Sequence, residues 1–158
     1  MSDRGFPPLR TTAEVQQSLA EGHVLMAFFK TRKHLYGFMY SRDQYATWRV
    51  RSPSQLRKQV AGLLRAMGNF DGNHELSRNE LLAGSNVELA GNFQEIAIVP
   101  DDFLWYLPFE ALAVGDAESK RLLISQARVR YAPTIGLAVP TSRVQKPQPK
   151  VGVVLGKL

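Results

Sequence analysis

The chain has 158 residues, 44% of them hydrophobic, with a net charge of +6 at pH 7 and a pI near 9.8. That length and hydrophobic content suit one domain around one core. Cysteine is absent, which excludes disulfides and a thiolate nucleophile from this chain and fits a reducing cytoplasm.

No apolar run reaches the ~18–20 residues needed to span a bilayer. The opening Met1-Ser2-Asp3-Arg4-Gly5-Phe6-Pro7-Pro8 has no apolar signal-peptide core. The expectation is an intracellular, cytoplasmic domain without a membrane partner. Its basic residues, among them Lys30, Arg32, Lys33, Arg49, Arg51, Arg57, Lys58, Arg128 and Arg130, are spread along the chain without a block of like charge. No nucleic-acid motif accompanies them, so a solvated surface or a dock for an acidic partner is favoured over a nucleic-acid partner.

Thr11-Thr12-Ala13-Glu14 is a capping box that opens a helix carrying Val15 and Leu19, with Gly22 placed to end it. His23 to Lys30 is a short apolar run, the pattern of a strand buried on both faces. Leu35 to Tyr40 and Gln44 to Val50 follow across polar turns, and the three runs predict an antiparallel meander. Their aromatics read as core or cross-strand pairs rather than a base-stacking surface.

Ser52-Pro53-Ser54-Gln55 predicts a helix start with serine as N-cap, proline at the first helical position and glutamine closing a capping box. Leu56, Val60, Leu63, Leu64 and Met67 form its apolar stripe, and Gly68-Asn69 ends it. Asn69 to His74 is a loop whose Asp71-Gly72-Asn73 lacks the ligand register of a calcium site. Ser77-Arg78-Asn79-Glu80 is a third capping box, before a short helix through Leu81 and Leu82 that ends near Gly84. Ser85 to Asn92 has no assignable pattern.

Gln94 to Val99 predicts a buried strand that breaks at Pro100-Asp101-Asp102. An aromatic turn and a short helix, Leu107-Pro108-Phe109-Glu110-Ala111-Leu112, come next. After a polar loop at Gly115 to Lys120, Leu122-Leu123-Ile124 and Val129 to Pro133 predict two extended segments. Thr134 caps the apolar turn Ile135 to Val139. Thr141 to Lys150 is a proline-bearing linker, and Val151 to Gly156 reads as a new apolar strand. A continuous apolar strand sits inside a covered parallel sheet, so more chain is expected beyond Leu158.

Candidate chemistry is sparse. His23, His34 and His74 lack a metal-ligand spacing. Gly84-Ser85-Asn86 is not a nucleophile elbow, and Gly152 and Gly156 do not form a phosphate loop. No cofactor is implied. Asp101, Asp102 and Glu110 admit two readings. They form an acidic patch for a basic substrate group, or the two aspartates fix the turn while Glu110 favours the positive end of a helix.

The stretch Ile96-Ala97-Ile98-Val99-Pro100-Asp101, with Leu104 and then Leu107-Pro108-Phe109-Glu110-Ala111-Leu112, closely resembles the signature of the CHAT domain, a caspase- and separase-like cysteine protease family often found beside tetratricopeptide repeats. The likeness runs from Thr11 to Leu158. Tyr131-Ala132-Pro133-Thr134 is similar to a second family segment, with threonine where serine is usual, and Asp102 stands where glycine is common. The resemblance implies an α/β fold, a caspase-like mixed sheet flanked by helices. It implies a non-catalytic half over residues 1–140, a linker over 141–150 and the first strand of a catalytic half over 151–158. The family's His-Gly and Ser-Ala-Cys motifs match no position here, so no catalytic residue carries over. Pro100, Asp101, Leu104, Leu107, Pro108, Phe109, Glu110 and Leu112 carry over as structural motif residues. Three functions follow as expectations: a scaffold for a His-Cys catalytic half, a freestanding module that binds a repeat protein, and a basic nucleic-acid binder. Self-association is expected if the last strand lacks neighbours.

Overall fold

In a computed structural model, residues 9–71, 76, 78–82, 85, 93–114 and 121–139 are described. The readings at Gly72 to His74, Ser77, Gly84, Asn86 to Asn92, Gly115 to Lys120, the linker and the last apolar run lie outside these residues.

The elements run α1 (Thr12–Gln17), β1 (His23–Lys30), β2 (Leu35–Tyr40), β3 (Tyr45–Arg49), α2 (Pro53–Gly68), α3 (Arg78–Leu82), β4 (Glu95–Val99), β5 (Ala113–Val114), β6 (Arg121–Leu122), β7 (Arg128–Tyr131) and α4 (Ile135–Ala138). Short 3-10 helices lie at Asp102–Tyr106, Phe109–Ala111 and Leu123–Ser125. One mixed five-stranded sheet has the order β3-β2-β1-β4-β7, and β5 and β6 form a two-stranded ribbon. The expected meander is present: β1–β2 and β2–β3 are antiparallel. β1–β4 and β4–β7 are parallel.

β1 is the middle strand, and its apolar run follows from that position. Val24, Met26 and Phe28 enter the larger core with Ile96, Ile98 and the α2 residues Leu56, Val60 and Leu63. Leu25 and Ala27 enter a smaller core on the other face with Val15, Leu19, Ala97, Val99 and Ala138. A strand covered on both faces has no polar alternation to display.

Four details differ from the sequence reading. Helix α1 forms its capping box at Thr11 and Glu14, which holds the Glu14 carboxyl below its usual pKa mainly through the Thr11 backbone N–H. It ends at Gln17 and not at Gly22, because the Ser18 hydroxyl donates to the Glu14 carbonyl at 2.7 Å and competes with helix continuation. Gly22, at φ +73°, instead turns the chain into β1, and its carbonyl accepts the Gln94 N–H at 2.7 Å. The Ser52 capping box does not form. Ser52 is left-handed (φ +48°, ψ +56°), whereas a side-chain cap needs extended backbone. Its carbonyl still starts α2 by accepting the Gln55 and Leu56 N–H groups.

The α2 stripe closes on Ala66, while Leu64 and Met67 are exposed. The helix ends on a Schellman pattern: Asp71 N–H to Ala66 C=O at 2.8 Å and Phe70 N–H to Met67 C=O at 3.3 Å, with Phe70 at φ +56°. The fourth difference is tighter winding. Residues 109–111 form a single 3-10 turn, and Leu123-Ile124 coils into another after only two residues of strand.

The aromatic residues serve the core. Trp48 lies over Gly37, its partner across the β2–β3 pair, and its Nε1–H donates to the Leu81 carbonyl at 2.9 Å. Tyr40 and Tyr45 form a cross-strand ring pair 5.0 Å apart. A Cβ on Gly37 would overlap the six-membered ring of Trp48. Gly37→Ala is therefore expected to cost about 3 kcal/mol by displacing the indole and its hydrogen bond. Urea unfolding of the two proteins checks this, and an unchanged midpoint would refute it.

Candidate functional site

The polar side chains of the motif Pro100 to Leu112 gather where the parallel strands end. β4 stops at Val99, Pro100 withholds an N–H from further pairing, and Asp101 takes over. Its Oδ1 accepts the Asp102 N–H at 2.8 Å and starts the 3-10 helix. Its Oδ2 accepts the Lys30 N–H, at the last residue of β1, at 2.7 Å. One carboxylate thus ties the ends of two parallel strands together. The turn-fixing reading of Asp101 agrees with this geometry.

Asp102 sits at φ +51°, in the left-handed region that favours glycine. An aspartate tolerates that region better than most residues. Its carboxylate ion-pairs with Arg57 of α2, whose guanidinium lies 4.9 Å from the Phe103 ring centre. Helix α2 is thereby pinned to the turn.

The apolar motif residues form a plug. Leu104, Leu107, Phe109 and Leu112 are all fully buried in the larger core. The Phe109 ring lies 6.0 Å from those of Phe28 and Tyr131. Pro108 precedes the Phe109–Ala111 turn as its N-cap and makes no side-chain cap bond. The Tyr131 hydroxyl donates to Glu110 Oε2 at 2.6 Å and accepts the Phe109 N–H at 3.0 Å. Glu110 therefore answers a tyrosine on β7, and not a helix dipole, because a three-residue 3-10 turn carries little of one. The sequence named Tyr131 in a family-like segment and Arg57 among the basic residues, without a partner for either. They lie 21 and 45 residues from their partners, and only the fold brings them there.

A second polar cluster lies at the opposite ends of the parallel strands. Glu95, half-buried, takes Arg130 Nε at 3.1 Å, Arg128 Nη1 at 3.6 Å and His23 Nδ1 at 3.8 Å. Arg130 also donates to the Ala138 carbonyl at 2.7 Å, fastening α4. Thr134 caps α4 as expected, accepting the Leu137 N–H at 3.4 Å.

These constellations are structural in form. Asp101, Asp102 and Glu110 each engage a partner within the chain. Among the described residues, no group of three or more His, Cys, Asp or Glu is placed to hold a metal. The Ser85 hydroxyl donates to the Leu82 carbonyl at 2.7 Å, a role of local turn closure. No described helix is long and apolar enough to cross a membrane.

A five-stranded mixed sheet flanked by helices, plugged at its parallel end, is an α/β architecture compatible with a caspase-like fold. The family model of the CHAT domain matches residues 63–157, and this chain belongs to that family. The match begins within α2, later than the likeness from Thr11 read in the sequence. It includes the whole plug, while β1, to which the plug is tied, precedes it. None of the curated proteins matches the chain.

Two outcomes are expected at the plug. Asp102→Gly relieves the left-handed strain and loses only an exposed ion pair, so its stability stays within about 1 kcal/mol of the parent. Asp102→Ala keeps the strain without the pair and falls by about 1–2 kcal/mol. Chemical denaturation that ranks alanine at or above glycine would reject this account of the turn. At the second position, burial first and the Glu110 hydrogen bond next raise the pKa of Tyr131 well above its ordinary value. A group raised in the folded state contributes its stability below the unfolded pKa and loses it as pH climbs above that value, here about 10. Tyr131→Phe is thus expected to cost about 1–2 kcal/mol at pH 7 by leaving the Phe109 N–H without its acceptor. The difference from the parent should shrink above about pH 10. Parallel stability curves across that range would contradict it.

Proposed function

We propose that this chain is the non-catalytic part of a CHAT-domain, caspase-like cysteine endopeptidase, acting as the wall against which a His-Cys catalytic half docks. Family membership supports the class. The absence of cysteine assigns the thiolate to another segment or polypeptide, since a cysteine protease needs a thiolate with its base in hydrogen-bond reach. Residues 1–140 are the scaffold in this reading, 141–150 the linker and 151–158 the first strand of the catalytic half.

The observation that carries the proposal is the state of β7. It is the last strand of the sheet, bonded on one side to β4, and no described strand pairs with its outer edge. An unpaired edge offers a row of N–H and C=O groups to another strand. Past the C-terminal ends of β4 and β7, Trp105 (49% exposed), Tyr106 (71%) and Leu137 (58%) present apolar surface to solvent. Aromatic residues of this kind anchor interfaces. Such an edge also fits self-association, or capture by a tetratricopeptide-type repeat protein as a freestanding module.

The test is to mix the 158-residue chain with a separately produced His-Cys half of a CHAT protein and follow the mass by sedimentation. A one-to-one complex, lost by at least tenfold in affinity on joint replacement of Trp105 and Tyr106 by alanine, is expected. A chain that dimerises with itself and ignores the catalytic half would favour the freestanding module instead.

A further inference from the structure

The β3 edge of the sheet has a different character. Between Asp43 and Asp71 the chain carries no acidic residue and five basic ones: Arg49, Arg51, Arg57, Lys58 and Arg65. Arg57 is paired with Asp102. Arg49 and Arg51 make no ion pair among the described residues, although they are two positions apart and repel each other.

Arg49, at the end of β3, and Val50, Arg51, Ser52 and Pro53, leading into α2, line an open cleft of about 560 Å³ with His34 from the β1–β2 turn. Among the described residues, the lining contains no carboxylate. Its polar side chains supply the two guanidiniums, an imidazole and the Ser52 hydroxyl, which makes no cap hydrogen bond. The cleft lies at the start of α2, whose 16 residues have no acid in the first turn to offset the positive end of the helix.

The geometry points to this cleft as a binding site for a small phosphate monoester. Guanidinium forks match phosphate oxygens in paired hydrogen bonds. A carboxylate has two oxygens to share among donors that come from two separate turns, whereas a phosphate presents three. The cleft is larger than one phosphate group and within the size range of small-ligand sites, so it has room for the organic body. Val50 and Pro53 supply its apolar part. The site is independent of the β7 edge and of the catalytic half.

The experiment is a titration of the full 158-residue chain with phenyl phosphate, followed by nuclear magnetic resonance of backbone amides and arginine Nε–H groups. Saturable shifts at Arg49, Arg51 and Ser54 are expected, with benzoate binding at least about tenfold more weakly. The exposed double variant Arg49→Gln/Arg51→Gln should lose about tenfold or more in affinity while its circular dichroism is unchanged, and Lys58→Gln, outside the cleft, should stay within about twofold. Four results overturn the proposal. They are unmoved signals at about 10 mM ligand, equal binding of benzoate, equal weakening by Lys58→Gln, and a phosphoserine peptide that binds about tenfold tighter than phenyl phosphate.

Discussion

The parallel pairing of β1 with β4 is the constraint on which the rest of the molecule depends. It places His23 opposite Glu95 and Ala27 opposite Val99, and so puts two apolar strands in the interior of a five-stranded sheet. Parallel strands need a covered sheet, and the chain supplies α2 and the 3-10 segments on one face and α1 and α4 on the other. The family match begins only at Leu63, yet β1 cannot be separated from the matched part without exposing both cores.

Parallel strands also leave their ends unsupported by tight hairpins, and this chain ties each end with carboxylates. At one end Asp101 binds the Lys30 and Asp102 N–H groups. At the other, Glu95 of β4 gathers His23 from β1 and Arg128 and Arg130 from β7. The Leu-Pro-Phe-Glu-Ala-Leu segment is a plug in the larger core. Its apolar residues are buried, and its one acid is held by a tyrosine from β7.

The two edges of the sheet divide the remaining surface. Beyond β7 lies an edge that no described strand pairs, near exposed aromatic residues. On the β3 side lies a cleft whose described lining has cationic donors and no acid. Electrostatic attraction reaches only about a Debye length, near 10 Å at moderate salt, so the charge of the second surface acts chiefly on what enters it. The overall positive charge of the chain is thus better understood by where it lacks partners than by its total.

The sequence by itself determined the order of elements from α1 to β4 and the both-faces burial of β1. It also determined the meander, the Thr11 and Thr134 caps, and membership of the CHAT family, because apolar periodicity, cap residues and the Pro100–Leu112 motif are local signals. It placed the start and end of α2 but not its buried stripe, which closes on Ala66 and leaves Leu64 and Met67 exposed. It misjudged Gly22 and Ser52 for one reason: a residue compatible with a cap is used as a cap only when the backbone angle and neighbours allow. Ser18 ended α1 early, and left-handed Ser52 turned its side chain out of capping geometry. What only the tertiary structure decided were the partners: Lys30 for Asp101, Arg57 for Asp102, Tyr131 for Glu110, and Gly37 beneath Trp48. Each joins residues that have no periodic relation in the chain, and each depends on strand register, which a single sequence leaves open.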